Sequence, residues 1–96
     1  MKDGIGKNYS SIINKESVSG IIRYLADNGE AHNVNLKGIV GNHYRLHNTM
    51  EALREAGLID MEFQTTPKKV YRYWLTEKGK EIAKKLEEIE DIIKEP

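Results

Sequence analysis

The chain of 96 residues contains no cysteine, only two prolines and no excess of positive or negative charge. The absence of cysteine excludes disulfides and thiolate metal ligands, and it fits a reducing compartment. The sequence has neither an apolar run of membrane-spanning length nor an N-terminal stretch of signal-peptide type. We therefore expect a single small cytoplasmic domain with no contact to a membrane, for which added stabilisation by a partner is plausible.

Charge is balanced overall but distributed unevenly along the chain. Residues 64–80 contain five lysines and arginines against one acid, whereas residues 81–96 contain six acids against three lysines. A basic segment beside an acidic tail favours contact with a polyanion at one end of the molecule only. The alternative is that these are ordinary solvated charges without a common partner.

The first half of the chain predicts an arm and two helices. Residues 1–14 are rich in glycine and asparagine, which predicts an N-terminal arm. Apolar residues then recur at helical spacing over residues 15–28, where Asn28 and Gly29 form a stop signal. Asn35 is placed to cap a second, short helix over residues 36–40, and Gly41 supplies the tight turn that follows it.

Residues 42–56 form the best-defined predicted helix. Leu46, Met50 and Leu53 follow the spacing of a stripe that faces a core. Gly57 is typical of a left-handed cap that ends a helix. The polar face of this helix changes along its length. Its first turns carry tyrosine, arginine, histidine and asparagine, and the acidic residues come later. An ordinary amphipathic helix with a mixed polar face is the alternative interpretation.

Residues 58–75 predict a β-hairpin. The runs 58–63 and 70–75 are rich in aromatic and β-branched residues, and the polar connection between them ends in two lysines. Alternation along the second run places Tyr71, Tyr73 and Leu75 on one face, which we assign to the core. Trp74 then lies on the opposite face, where we expect the C-terminal helix or a partner subunit to cover it.

The end of the chain predicts a long helix suited to dimerisation. Thr76 is a good cap, and at about 1.5 Å per residue the helix from Thr76 to Lys94 is nearly 30 Å long, about the diameter of a small domain. Its distal half should therefore extend beyond the domain. One row of the helix carries apolar residues at heptad-like spacing, and we predict a homodimer interface formed by Ile82, Leu86, Ile89 and Ile93. Packing of the row on its own domain is the alternative.

These elements together resemble a winged helix-turn-helix domain. The resemblance rests on a helix closed by Ala-Gly-Leu-Ile at residues 56–59 and on a hairpin that ends in Leu-Thr-Glu-Lys-Gly at residues 75–79. It is similar in style to the MarR, PadR and HxlR regulators, and also to small archaeal winged-helix chromatin proteins. The wing departs from the MarR pattern, because residues 64–69 lack the Asp-x-Arg pair that is common there.

The resemblance implies a mostly helical α+β fold with a three-helix core, a hairpin wing and a C-terminal helix. It also implies a brief strand within residues 30–34 that pairs with the wing. We expect the domain to occupy residues 15–75 and the dimerisation helix residues 76–96. The function implied is sequence-specific binding of double-stranded DNA by a small transcriptional regulator, with helix 42–56 in the major groove and wing 64–69 on the backbone.

The residues that would contact DNA follow from these placements. Arginine suits guanine edges or phosphate, asparagine suits adenine, and lysines and helix N-termini suit phosphate. The predicted DNA-contacting residues are Lys37, Asn42, His43, Tyr44, Arg45, His47, Asn48, Lys68 and Lys69.

Other functions are less well supported by the residues. The sequence contains none of the catalytic motifs for a nucleophile, a phosphate loop or a zinc protease, so we predict neither an enzyme nor a cofactor. His43 and His47 have a spacing that metal ligands can use, with His32 as a possible third ligand, but DNA-contacting or partly buried histidines are the commoner outcome. Non-specific chromatin binding and protein–protein contacts remain the alternative uses of the fold.

Overall fold

The computed structural model describes residues 17–96 as four helices and a small sheet. The predicted arm, residues 1–14, and the start of the first helix at residue 15 lie outside the described residues. The elements in chain order are α1 (Val18–Asn28), β1 (Ala31–His32), α2 (Asn33–Val40), α3 (His43–Glu55), β2 (Ile59–Gln64), β3 (Val70–Leu75) and α4 (Glu77–Lys94). No helix within residues 17–96 combines the length and the apolar character needed to span a membrane.

The sheet has three antiparallel strands in the order β1-β3-β2. Strands β2 and β3 pair along their full lengths, from Ile59 opposite Leu75 to Gln64 opposite Val70. Strand β1 adds only two pairs, Ala31 opposite Tyr73 and His32 opposite Arg72. The brief strand that the family resemblance implied is therefore present, and the predicted winged-helix architecture with a C-terminal helix is confirmed.

The core lies between the helices and one face of this sheet. Helix α1 buries Val18, Ile21, Ile22 and Leu25, and α3 buries its predicted stripe of Leu46, Met50 and Leu53. The sheet contributes Ile59, Tyr73 and Leu75 from the face that alternation along the second run had predicted. Burial raises the pKa of the Tyr73 phenol to about 12, so this core tyrosine stays neutral.

The start of α2 differs from the prediction. The helix begins at Asn33, so Asn35 lies inside it and is not the residue that precedes it. Asn35 Oδ1 accepts a hydrogen bond of 2.9 Å from the His32 backbone N–H, and Asn33 Oδ1 accepts one of 3.1 Å from the Tyr71 N–H. Asn35 thus takes the third helical position of a local capping box with His32, whereas Asn33 ties the helix start to β3 through a tertiary contact that capping rules do not predict.

The end of α3 is closed by a Schellman motif. Gly57 has a φ of 83°, the left-handed conformation that was predicted for it. Its N–H donates to the carbonyl of Arg54 at 3.0 Å, and the Leu58 N–H donates to the carbonyl of Leu53 at 3.0 Å. The chain therefore leaves α3 in a fixed direction and enters β2 one residue after Leu58.

A tight joint connects this turn to the start of α4. Thr76 donates from its N–H to the Leu58 carbonyl at 3.1 Å and from its hydroxyl to the Gly57 carbonyl at 2.6 Å. The same hydroxyl accepts the Gly79 N–H at 3.1 Å and so caps α4. A Cβ placed on Gly79 would lie 2.0 Å from the Leu58 carbonyl oxygen, so only glycine fits this close approach.

We predict that Gly79→Ala destabilises the protein by about 3 kcal/mol, because the added methyl group collides with backbone that cannot move without disturbing α3. Gly38→Ala is the matched control. Gly38 is an exposed helical glycine with nothing within 4 Å of an added Cβ, so its replacement should be neutral or stabilise by about 0.5–1 kcal/mol. Urea unfolding of both variants measures the difference. Equal unfolding midpoints would show that the close approach of Gly79 to Leu58 does not require glycine.

Candidate nucleic-acid interface

The predicted DNA-contacting side chains are all exposed. They occupy the end of α2, the first two turns of α3 and the wing tip, namely Lys37, Asn42, His43, Tyr44, Arg45, His47, Asn48, Lys68 and Lys69. Tyr44 is 77% exposed, which is unusual for a large aromatic side chain without a partner molecule. The core stripe of α3 faces inward, so these polar residues necessarily project from the opposite side of the helix.

The first turn of α3 is held by a side-chain cap. Gly41 has a φ of 108° and turns the chain from α2 into Asn42, whose backbone is extended. Asn42 Oδ1 accepts a hydrogen bond of 2.8 Å from the Arg45 N–H. This asparagine was predicted as a DNA contact, and the structure gives it a structural function as well.

The acidic part of α3 is partly neutralised inside the helix. Arg54 donates to Glu51 at 2.8 Å, and this hydrogen bond raises the pKa of Arg54 above its ordinary value. Glu51 lies one turn beyond the exposed polar residues at the helix start. The exposed tyrosine, arginine, histidine and asparagine side chains of α3 lie at its N-terminal end, where the helix dipole also favours anions.

Two histidines lie where α3 meets strand β3 of the wing. His43 and His47 line a cavity of about 160 Å³ together with Leu46, Tyr71 and Tyr73. The rings of His47 and Tyr71 have centroids 6.0 Å apart, so the exposed face of α3 lies beside the wing. Within residues 17–96, no three His, Cys, Asp or Glu side chains come together as potential metal ligands.

An aromatic row stiffens the wing on the same side. Tyr71 lies 4.8 Å from Phe63 across the hairpin and 6.1 Å from Tyr73 along its own strand, measured between ring centroids. Phe63 is 48% exposed, so the row runs from the core to the surface. Through the contact between His47 and Tyr71, the row also packs the wing against α3.

Three of the five basic side chains between residues 64 and 80 have partners within the domain. Arg72 donates to Glu62 and Glu30, each at 2.8 Å, and these hydrogen bonds raise the pKa of Arg72. Lys78 donates to the carbonyl of Ala56 at the end of α3, and Lys80 pairs with Glu77.

The other two of these five basic side chains are the lysines at the wing tip. Lys68 and Lys69 make no hydrogen bond or ion pair with any residue that the structure describes. The charge balance counted from the sequence therefore overstates the positive charge that a partner molecule can use. The usable charge is concentrated at the wing tip.

Arg72 also explains the position of Trp74. Its guanidinium lies 4.5 Å from the centroid of the indole ring, on the sheet face opposite the core. An arginine of the same strand thus covers the tryptophan, where the sequence suggested α4 or a partner subunit. Sequence reasoning missed this group because Glu30 and Glu62 lie 42 and 10 residues from Arg72 and carry no local pattern.

The apolar row of α4 divides into two halves. Ile82 and Leu86 are partly buried against the domain core, whereas Ile89 and Ile93 are 51% and 75% exposed. Ile92, which lies outside the predicted row, is 67% exposed. A side-chain ion pair between Arg23 of α1 and Glu90 of α4 holds the helix where it begins to leave the domain.

Sequence comparison identifies one family. A family model described as "HxlR-like helix-turn-helix" matches residues 12–96. No curated protein matches the chain.

Several solved structures have the same fold. One is a transcriptional regulator homologue from Pyrococcus horikoshii OT3, which is 19% identical and matches with a TM-score of 0.75. The match covers 97% of this chain and 95% of that one. The adhesin competence repressor AdcR of Streptococcus pyogenes has a TM-score of 0.71 at 17% identity, over 93% of this chain and 65% of AdcR. A ZitR mutant of Lactococcus lactis in apo form has a TM-score of 0.69 at 19% identity, over 94% and 67% of the two chains. The chain thus spans about two thirds of AdcR and ZitR, and at these identities the likeness is one of fold.

We predict that Asn42→Ala lowers the free energy of unfolding by about 1 kcal/mol, because it removes the acceptor that caps α3. Asn42→Asp retains the acceptor and adds a negative charge at the positive end of the helix, so its stability should equal or exceed that of the wild type. Thermal unfolding of the two variants checks this. Equal destabilisation by alanine and aspartate would contradict the capping role.

Proposed function

The chain belongs to the HxlR-like helix-turn-helix family, and on that premise we propose that it is a transcriptional regulator that binds double-stranded DNA at specific sequences. The observation that carries the proposal is the concentration of exposed cationic and polar side chains on two adjoining elements. They are the first turns of α3 and the tip of the wing, which the contact between His47 and Tyr71 joins.

In this proposal the first turns of α3 enter the major groove. Arg45 and Asn48 contact base edges, because their side chains match the donors and acceptors of guanine and adenine. Tyr44 and His47 lie beside them on the exposed face and complete the contact. The later acids of α3 point away from the phosphates, which is the orientation that docking by the helix N-terminus requires.

Phosphate contacts come from five exposed residues on and around this helix. Lys68 and Lys69 are exposed and positively charged, and they neutralise phosphates beside the major groove. Lys37 of α2, with Asn42 and His43 at the start of α3, would hold the strand on the other side of the helix. These contacts set the orientation of the domain, while α3 supplies the choice of sequence.

Dimerisation through α4 completes the proposal. Two recognition helices must be separated by about one turn of DNA or a multiple of it, and a rigid connection has to fix that distance. The exposed distal residues Ile89, Ile92 and Ile93 form an apolar surface that a second copy would cover by two-fold pairing. Ile82 and Leu86 were predicted to share this interface, but their packing on the domain core leaves them a smaller part of it.

We predict that replacing Lys68 and Lys69 by alanine weakens binding to all duplexes and reduces the slope of log K against log salt by about two. The matched control is the replacement of Lys84 and Lys85 by alanine, which removes the same charge from α4 and should leave the slope unchanged. Binding isotherms at several salt concentrations provide the measurement.

Replacing Arg45 or Asn48 by alanine should instead cost about 1–3 kcal/mol on a preferred site only, because a base-specific contact is lost. Random-sequence DNA is the reference for this comparison. Equal losses on preferred and random DNA for both sets of variants would show that α3 does not recognise bases.

We predict that changing Ile89 and Ile93 to lysine gives a folded monomer, because both side chains are exposed and their loss disturbs only a contact between copies. Ile82→Lys is the comparison, since Ile82 packs on the core and its replacement should lower stability. Sedimentation equilibrium measures the mass. A wild-type mass near the chain mass of 11.0 kDa at high micromolar concentration would contradict dimerisation.

A further inference from the structure

An open cleft lies between the C-terminal half of α1 and one face of α4. It has a volume of about 260 Å³, and the core residues Leu25 and Leu75 form part of its lining. On the other side it is bordered by residues of α4 at helical spacing, namely Lys80, Ala83, Lys84 and Glu87. We call it the α1–α4 cleft.

The α1–α4 cleft is separate from both surfaces assigned above. None of the predicted DNA-contacting residues lines it, and neither do the exposed isoleucines at the distal end of α4. Small side chains keep it open, because alanines occupy positions 26 and 83 in its two walls. The cleft also borders Arg23, whose ion pair with Glu90 holds α4 against α1. An occupant therefore lies beside the contact that fixes the direction of α4.

The positive charges around the cleft are mostly paired. Two of its three cations form ion pairs with acids that do not line it, Arg23 with Glu90 and Lys80 with Glu77. The third cation is Lys84, which forms no ion pair within residues 17–96. The cleft thus keeps one cation without such a partner.

The negative charges of the cleft outnumber this lysine. Asp27 of α1 and Glu87 of α4 line it and form no hydrogen bond or ion pair within the part of the chain that the structure describes. Glu90 raises the pKa of Arg23 most, and Asp27 and Glu87 add to that effect, so all three carboxylates lie near the guanidinium. The C-terminal end of α1 carries negative partial charge, and its last turn has no basic residue. The cleft therefore has an excess of negative charge.

We propose that the α1–α4 cleft binds a small organic cation, an ammonium group attached to a short apolar body. The ammonium group lies near Asp27 and Glu87, and the apolar body lies against Leu25 and Leu75. At about 30 Å³ for each water-sized group, the volume of about 260 Å³ holds roughly nine such groups. A carboxylate or phosphate ligand is disfavoured, because it would face two carboxylates that lack partners.

Hexylammonium is the probe, and hexanoate, which has a similar apolar chain and the opposite charge, is the control ligand. Amide chemical shifts of the isotope-labelled full chain are followed at low ionic strength, where exposed charges are least screened. Hexylammonium in the millimolar range should shift the amides of Ala26, Asp27 and Ala83 in a saturable manner. Hexanoate at the same concentration should leave these amides unchanged.

Variants at exposed positions test the charges. Replacing Asp27 by Asn and Glu87 by Gln together should weaken hexylammonium binding roughly three- to tenfold, because each exposed ion pair contributes modestly. Lys84→Gln should tighten binding about twofold, since it removes the charge that opposes the ligand. The matched control replaces Asp60 by Asn and Glu81 by Gln. It makes the same charge change outside the cleft and should bind like the wild type.

The absence of saturable shifts with hexylammonium would overturn the inference, and so would binding of hexanoate that is equal or tighter. A double variant at Asp27 and Glu87 that binds as tightly as the control pair would also overturn it. Weaker binding by Lys84→Gln would do the same, because a cationic ligand requires the opposite sign. No DNA is present in these titrations, so their failure leaves the proposed function untouched, and a failure of DNA binding leaves the cleft untouched.

Discussion

The structure depends on the close approach of Gly79 to the backbone of Leu58. At this point the end of α3, the start of β2, the end of β3 and the start of α4 meet within a few residues. Thr76 is hydrogen-bonded to both Gly57 and Leu58, and its hydroxyl also caps α4 through Gly79. A side chain at position 79 would force these elements apart, because the nearest atom is a carbonyl oxygen.

This joint gives the candidate interface its geometry. It fixes α3 to the base of the wing, so the helix face and the wing tip keep a constant relation to each other. The same joint sets the direction in which α4 leaves the domain, and the ion pair between Arg23 and Glu90 holds that direction further along. Two functions with different partners, DNA contact and pairing of copies, would thus share one rigid connection.

Much of the fold could be predicted because the residues that define its helices and strands form patterns within short stretches of sequence. The spacing of Leu46, Met50 and Leu53 identified α3, and the Leu-Thr-x-x-Gly motif at residues 75–79 identified the last helix and its link to the wing. The predicted start of α2 at residue 36 is three residues late, since Asn35 accepts the His32 N–H from inside the helix and Asn33 bonds to β3.

The candidate site was harder to define than the fold, because charge counted along a chain does not show which charges find partners. Glu30, which precedes β1, and Glu62 of β2 both pair with Arg72 of β3, and Lys78 caps α3 from another helix. Likewise, the heptad-like row in α4 did not show which of its residues pack on the domain: Ile82 and Leu86 are partly buried there, whereas Ile92, outside the row, is exposed. The assignment of individual side chains to DNA stays a prediction.

In the proposed function, α3 and the wing act together on duplex DNA as a sequence-specific pair. Selection of bound molecules from a pool of random duplexes is the most direct measurement of this. Base recognition by a dimer predicts convergence on two inverted half-sites separated by about one helical turn or a multiple of it. Retention of DNA without any preferred sequence would indicate an architectural protein and contradict base recognition by α3, and the absence of any enrichment or retention would contradict DNA binding altogether.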